Sequence, residues 1–264
     1  MTAIANQNIW ITGASSGIGE ALAVACAKQG GFPILTARNM EKLKEIRQEC
    51  LKYTSKCWVF SADLSKTDVI NKLFEEVRAE CGQIHILINN AGRSQRSYAI
   101  DTPYENDYAI MQLNFLSVIK LSKFVLKHMQ AQKVGHIVVV GSITGKFGFP
   151  MRTAYSASKH ALQGYFESLQ CEMTGSLINV TIVHPGRIQT NISRNALIEN
   201  GKSYNKMDDG QAGGMPAETC ADQIIRAIKR NKKEILVGKK EILMVYIRRF
   251  APWLYYKMAP KIKN

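Results

Sequence analysis

The sequence predicts an α/β domain: a parallel sheet with helices on both faces. Two observations carry this. Short apolar, β-branched runs alternate with longer stretches of helical period along most of the chain, and such alternation means parallel strands joined by right-handed crossovers. A turn with three glycines also follows the first run at once and opens the first helical stretch, as at the phosphate sites of open α/β sheets.

The strand candidates are Ile9–Thr12, Phe32–Thr36, Cys57–Ser61, Ile84–Asn89, His136–Val140, Asn179–Val183 and Glu234–Val237. Helical patterns fall near 17–29, 40–53, 67–81, 103–131, 154–174, 217–231 and 241–257. No repeat, linker or low-complexity block interrupts them, so 1–264 reads as a single domain.

Composition narrows the class. A hydrophobic content of 46% with 19 Gly suits a globular chain, not a disordered one. The net charge of +14 is unevenly placed: from Arg226 onward twelve Lys/Arg stand against Glu234 and Glu241. The rest is nearly balanced, which argues against a whole-surface nucleic-acid binder. No apolar run approaches roughly 18–20 residues, so no membrane span is expected. No charged-then-apolar leader opens the chain. Six scattered cysteines (26, 50, 57, 81, 171, 220) without Cys-x-x-Cys read as reduced thiols in a cytoplasmic protein with no metal site, with disulfides or a metal site the competing reading.

The first strand runs into Thr12-Gly13-Ala14-Ser15-Ser16-Gly17-Ile18-Gly19. Glycines between a strand and a helix let backbone N–H groups approach a phosphate at the helix N-terminus. The spacing is Gly-x-x-x-Gly-x-Gly, a variant of the dinucleotide fingerprint; a tight turn without a ligand is the competing reading. The second strand ends Leu35-Thr36-Ala37-Arg38-Asn39. An NAD site usually offers an acid here to the ribose 2′-hydroxyl. None is present, and Arg38 is placed to pair with a 2′-phosphate, unless it is only a surface cation at a helix start. Asp63, after the third strand, is placed to reach an adenine.

The fourth strand ends Asn89-Asn90-Ala91-Gly92, small and amide residues that suit the close approach of a flat cofactor. Asn114 interrupts an apolar helical stretch (Ile110, Met111, Leu113, Phe115, Leu116) and needs partners if buried. Taken alone, it reads as a structural Asn. The fifth run, His136–Val140, reads as a strand buried on both faces, so Ser142 sits at a strand's carboxyl end, where such sheets bind ligands. Tyr155 and Lys159 lie four apart in a helical segment and share a face.

That trio suggests acid–base chemistry on an oxygen. A free Tyr, with a pKa of about 10, is a poor proton donor or acceptor near neutrality, and a neighbouring ammonium lowers that value. Tyr155 would then protonate an alkoxide or deprotonate an alcohol, while Ser142 fixes the same oxygen. The competing reading is an incidental Tyr and a solvated Lys at a helix start. The irregular stretch 187–215 is polar and Gly-rich (Gly201, Gly210, Gly213, Gly214) and reads as a lid. His85, His136 and His184 form no ligand spacing and read as packed or surface residues. Arg93, Arg96 and Arg152 flank the expected pocket mouth; any of them would suit an acidic substrate, but exposed loop cations are the default reading.

Together these motifs resemble the short-chain dehydrogenase/reductase family over roughly residues 7–240. The resemblance rests on Thr12-Gly-x-x-x-Gly-x-Gly19, Asn89-Asn90-Ala91-Gly92, the tetrad Asn114, Ser142, Tyr155 and Lys159, and Pro185-Gly186-x-x-x-Thr190 after the sixth strand. It implies a Rossmann-type, doubly wound, seven-stranded parallel sheet. It also implies Tyr155 as general acid/base and Lys159 as the group that lowers its pKa and binds the nicotinamide ribose. Ser142 would orient the substrate oxygen, and Asn114 would hold a proton-relaying water. Gly186 and Ile188, beside Pro185, would border the nicotinamide, and Thr190 would contact the cofactor. NADP(H) is favoured, with NAD(H) the second option. Association as a homodimer or homotetramer, through the helices near 103–131 and 154–174, is also implied.

Two departures stand out. Gly141 occupies a position where the family often has a second Ser, and Ser16 one that is often basic in NADP-preferring members, which leaves Arg38 alone on the 2′-phosphate. The expected function is NAD(P)(H)-dependent hydride transfer to or from a carbonyl or secondary alcohol of a lipophilic small molecule. The alternative is a cofactor-binding regulatory or scaffold protein with vestigial catalysis.

The segment 239–264 mixes aromatic and aliphatic residues with cations, and Pro252 is expected to bend or break its helix. Ile242, Val245, Tyr246, Arg249 and Phe250 fall near one helical face. Such a segment suits a membrane interface, with Trp253, Tyr255 and Tyr256 at the boundary and cations on anionic headgroups. The protein would then sit peripherally on a membrane. Packing on its own or a partner subunit, as a pocket cover, is the other reading.

Overall fold

The computed structural model describes residues 1–262. In chain order the elements are β1 (Asn8–Thr12), α1 (Gly17–Lys28), β2 (Phe32–Ala37), α2 (Met40–Cys50), β3 (Trp58–Ser61), α3 (Val69–Cys81), β4 (Ile86–Asn89), α4 (Tyr104–Met111), α5 (Ser117–Gln132) and β5 (Gly135–Val140). There follow α6 (Thr153–Glu172), β6 (Ile178–Pro185), α7 (Asp209–Ala212), α8 (Ala217–Lys229), β7 (Glu234–Val237), α9 (Leu243–Phe250) and α10 (Pro252–Met258). All strands pair in parallel in one seven-stranded sheet, order β3-β2-β1-β4-β5-β6-β7. The doubly wound sheet read from the sequence is the sheet observed.

Side chains alternate across each strand, so one strand feeds two cores. In β1, Ile9 and Ile11 join α1, α2 and α8 through Leu22, Leu43 and Ile224, while Trp10 joins α3, α5 and α6 through Phe74, Val125 and Phe166. In β5, Val138 and Val140 face the first layer and Ile137 and Val139 the second. The buried indole of Trp10 donates to Thr36 Oγ1 at 2.8 Å, so its one polar atom is satisfied. The chain steps outward from β1 to β3 and returns to β4 on the other side of β1. That reversal opens a crevice at the carboxyl ends of β1 and β4, where ligands bind in such sheets.

The expectation that no segment could span a membrane needs correction. Tyr104–Gln132 runs as one helical stretch that is long and apolar enough by length and composition. Its apolar side is a core face: Val118, Leu121, Val125 and Met129 are buried, and Phe124 stacks on Phe74 at 5.4 Å between centroids. Lys120 and Lys123 break the apolar run in sequence without lowering the mean hydropathy enough to exclude it.

His136 is fully buried in β5, with its ring nitrogens on Thr2 Oγ1 at 3.0 Å and Thr181 Oγ1 at 2.8 Å. Burial lowers its pKa to about 4. The unfolded chain, with an ordinary His value near 6.5, therefore takes up a proton that the folded chain refuses. Stability is expected to fall as pH drops from about 6.5 to about 4, by on the order of 3 kcal/mol in all. Urea titrations at pH 7 and pH 4.5 check this. His136→Gln should flatten the wild-type pH dependence, and an unchanged slope would remove His136 as its source.

Near the end of the chain, α9 and α10 are separated by Ala251, whose backbone (φ −136°, ψ 62°) leaves the helical region before Pro252. This is the break expected at Pro252. Tyr255 is buried against Phe147, and its hydroxyl donates to the Gly148 carbonyl. The six cysteines are free thiols, and only Cys171 is exposed.

Candidate active site

The glycine turn and the end of β4 are stitched together. Thr12 Oγ1 accepts from the amides of Asn90 and Ala91 at 3.0 and 3.1 Å, and Asn90 Nδ2 donates to the Thr12 and Gly13 carbonyls at 3.0 and 3.2 Å. Gly13 has φ +64°, and a Cβ there would lie 2.8 Å from Ala91 Cα; at Gly17, φ +59°, it would meet Thr190 Cγ2 at 2.8 Å. Only glycine meets both conditions at either position. Ser16 begins α1 without a side-chain cap, so the first-turn N–H groups stay available to an anion.

These elements border a cavity of about 770 Å³. Gly13, Ser15, Ser16, Gly17 and Ile18 form one side, Arg38 and Asp63 the end beyond β2 and β3, and Asn90, Ala91 and Gly92 the floor. Cradle, free helix end and volume fit a dinucleotide. Gly19 does not border the cavity; it packs under the turn, where a Cβ would collide with the Gly13 carbonyl. Burial raises the Asp63 pKa, but Ser65's hydroxyl and amide, with Arg38 and Lys66, outweigh it and hold the carboxyl below its ordinary value.

Arg93 also borders this cavity, beside Arg38. Burial, and then the Arg38 charge, lower its pKa. The sequence placed Arg93 at the substrate mouth; the fold places it at the far end of the cleft, giving that end two cations.

A second cavity, of about 520 Å³, joins the first: Ile18, Asn90, Gly92 and Thr190 border both. Ser142, Tyr155, Lys159, Pro185, Gly186 and Ile188 line it. Tyr155 and Lys159 project from one face of α6, as their spacing requires, and both are buried. Lys159 Nζ donates to the Val140 carbonyl at 2.9 Å and lies 5.8 Å from the centroid of the Tyr155 ring. Burial lowers its pKa to about 8.

The electrostatics of Tyr155 differ from the sequence expectation. Burial dominates and raises its pKa; the hydrogen bond to Ser142, then the charges of Arg96 and Arg152, pull the other way. The Lys159 ammonium, which the sequence cast in that role, is held on the Val140 carbonyl.

Arg96 and Arg152 are not exposed loop cations. Each is 4% exposed, and both point at Asp208 of the 187–215 stretch. Arg96 Nε donates to Asp208 Oδ2 at 2.9 Å, and Arg152 Nη2 reaches the same oxygen at 3.5 Å. Asp208 Oδ1 has no hydrogen-bond partner among the described residues. Around this cluster, the Arg96 amide donates to the Leu197 carbonyl at 2.7 Å and the Leu197 amide to the Ser94 carbonyl at 2.9 Å. The 187–215 stretch is thus laced across the cavity, with Ile192, Asp208 and Gln211 in its wall.

Asn114 lies outside both cavities. Its Nδ2 donates to the Arg93 carbonyl at 2.9 Å and Ser158 Oγ at 3.0 Å, while Oδ1 accepts from the Arg93 amide at 2.8 Å. It sits within a π-helical turn, Gln112–Leu116, between α4 and α5; such turns are frequent at functional sites. Gln95 went unnoticed in the sequence. It is fully buried, and its Oε1 accepts from the Ala154 amide at 2.9 Å, fixing the start of the helix that carries Tyr155. A lone Gln in a loop offers no pattern to find it by.

The short chain dehydrogenase family model matches residues 7–200. The chain belongs to the short-chain dehydrogenase family. Among curated members of this oxidoreductase family, it is 39% identical over 255 residues to dehydrogenase/reductase SDR family member 7B of Xenopus laevis, covering 94% of this chain and 79% of that one. It is 38% identical to the SDR family protein 7-like dehydrogenase/reductase of Anopheles gambiae, covering 97% and 84%. Among solved structures, a Burkholderia phymatum short-chain dehydrogenase/reductase in complex with NAD superposes with a TM-score of 0.86 over 96% of both chains, at 21% identity, a likeness of fold. A metagenomic short-chain oxidoreductase in complex with NADP gives a TM-score of 0.74 at 26% identity, covering 89% of this short-chain dehydrogenase and 98% of that chain.

Proposed function

We propose that the protein is an NADP(H)-dependent carbonyl reductase or alcohol dehydrogenase acting on a lipophilic substrate. The observation that carries this is the buried trio Ser142, Tyr155 and Lys159, lining a second cavity that joins the dinucleotide-sized cleft. The Gly13–Ile18 turn and the N-terminus of α1 would hold the pyrophosphate, with Lys159 on the nicotinamide ribose and Pro185, Gly186, Ile188 and Thr190 along the nicotinamide. When bound, the nicotinamide supplies or accepts the hydride.

Ser142 orients the substrate oxygen, and Tyr155 Oη gives or takes its proton. Protonated, Tyr155 serves as the donor in carbonyl reduction; deprotonated, it serves as the base in alcohol oxidation. Asn114, through its hold on the Arg93 backbone and Ser158, keeps the β4–α4 loop against α6, and its π-helical turn would seat the proton-relaying water. The apolar wall of the cavity, Phe147, Phe149, Met244 and Ile247, supports a lipophilic substrate. A screen of NADPH-dependent turnover across ketones, aldehydes and acyl thioester ketones tests the proposal. Tight cofactor binding without turnover of any of them would favour the scaffold reading.

The choice of NADP(H) rests on Arg38 and Arg93, two cations at the end of the cleft where β2 offers no acid. A 2′-phosphate would relieve their mutual repulsion. Arg38→Ala is expected to cost NADPH about 1.5–3 kcal/mol of affinity through loss of a charge-assisted contact, with little change for NADH. Dissociation constants for both cofactors, by fluorescence titration, check this. An unchanged NADPH/NADH affinity ratio means that Arg38 does not read the phosphate.

A further inference from the structure

We propose that the outer face of α9 and α10 docks on an anionic phospholipid bilayer, with the catalytic cavity opening onto that surface. The first observation is that α9 is apolar on two opposite sides. Inward, Met244, Val245 and Ile247 pack with Ile143, Phe147 and Tyr255. Outward, Leu243, Tyr246 and Phe250 stand at spacings of three and four on one stripe, 56%, 50% and 79% exposed. A helix on the surface of a soluble domain carries polar residues on that side. Beyond the break at Ala251, Trp253 and Tyr256 continue the exposed face, at 65% and 64%.

The second observation is charge. Arg249, Lys257 and Lys261 are exposed on the same segment, and Lys257 lies over the Trp253 ring at 5.7 Å. The sole acid between 239 and 262, Glu241, accepts from the backbone amides of Arg187 and Lys239 at 2.9 and 3.1 Å. Cations among aromatic and aliphatic side chains match an interface of anionic headgroups over acyl chains. They do not match a second copy of the chain, because a two-fold contact would set this cationic face against itself.

The third observation is position. Leu243 and Met258 line the catalytic cavity and are also exposed, at 56% and 39%, so the cavity reaches the surface within the patch. A lipophilic molecule could pass from acyl chains to Tyr155 without crossing bulk water. Docking itself does not depend on turnover, and the test reads binding alone.

The full chain is sedimented with vesicles of phosphatidylcholine alone or with phosphatidylserine added, at low and physiological salt. The wild type should partition onto the serine-containing vesicles, more strongly at low salt, with a blue shift of Trp253 emission. Arg249→Gln/Lys257→Gln should weaken that partition about 30-fold, from roughly 1 kcal/mol per cation at the surface. Phe250→Ser/Trp253→Ser, at exposed positions outside the cavity and with an unchanged melting temperature, should abolish it. Three results would overturn the proposal: no wild-type sedimentation with either vesicle, equal sedimentation of wild type and both variants, or a lipid-free dimer in sedimentation velocity that Phe250→Ser/Trp253→Ser dissociates.

Discussion

Tyr155→Phe is expected to lower kcat by about 10²–10⁴-fold while leaving cofactor affinity near that of the wild type. The substitution keeps the ring in its buried place on α6 and removes only the phenolic oxygen beside Ser142. Ground-state packing survives, and only the proton path to the substrate oxygen is lost. The loss should therefore appear equally in kcat and kcat/KM. Lys159→Ala should behave differently. Its ammonium stands beside Gly92, at the junction of the two cavities, so cofactor affinity should fall together with kcat. Steady-state rates with NADPH, paired with cofactor titrations, separate the two patterns. A kcat in Tyr155→Phe within a few-fold of wild type would remove Tyr155 as the acid.

Much of this site was legible because its parts are local. The glycine turn, the ends of β2 and β4, and the Tyr155–Lys159 spacing each depend on a few consecutive residues and one element boundary. The sheet was legible because β-branched runs such as His136–Val140 have to be buried on both faces. The long-range parts left no such mark. Arg96 and Asp208 are 112 residues apart in sequence, and nothing near either signals that the 187–215 stretch folds back to bury both. Arg93 looks like any loop cation until β2 and β4 place it beside Arg38. In α9 the helical period was evident, but the stripe read as one face was split by the fold: Val245 packs inward while Tyr246, Arg249 and Phe250 face out. When both sides of a helix are apolar, its period cannot say which side is covered.

Asp208→Ala is expected to release the 187–215 stretch from the catalytic cavity. In the folded chain Asp208 is the carboxylate between two buried guanidinium groups. Burial and the charge of Arg96 already lower the Arg152 pKa to about 9, with Asp208 acting against them. Removing one partner of a buried ion pair leaves uncompensated charge behind, at a cost of about 3–5 kcal/mol. Arginine does not readily shed that charge by deprotonating, so relief comes from hydration, which requires the covering stretch to lift. Faster limited proteolysis between Ile192 and Lys206 and a lower melting temperature are the expected readouts. Asp208→Asn keeps the shape and one acceptor oxygen, and it should open the stretch less. It also strips a negative charge from the surroundings of the two cations that pull the Tyr155 pKa down. If Tyr155 donates the proton, the alkaline limb of the kcat profile should therefore move to lower pH in Asp208→Asn. Wild-type proteolysis and melting in Asp208→Ala would mean that the Ser94–Arg96 contacts with Leu197 hold the stretch by themselves, and an unmoved alkaline limb in Asp208→Asn would detach the arginine cluster from the chemistry of Tyr155.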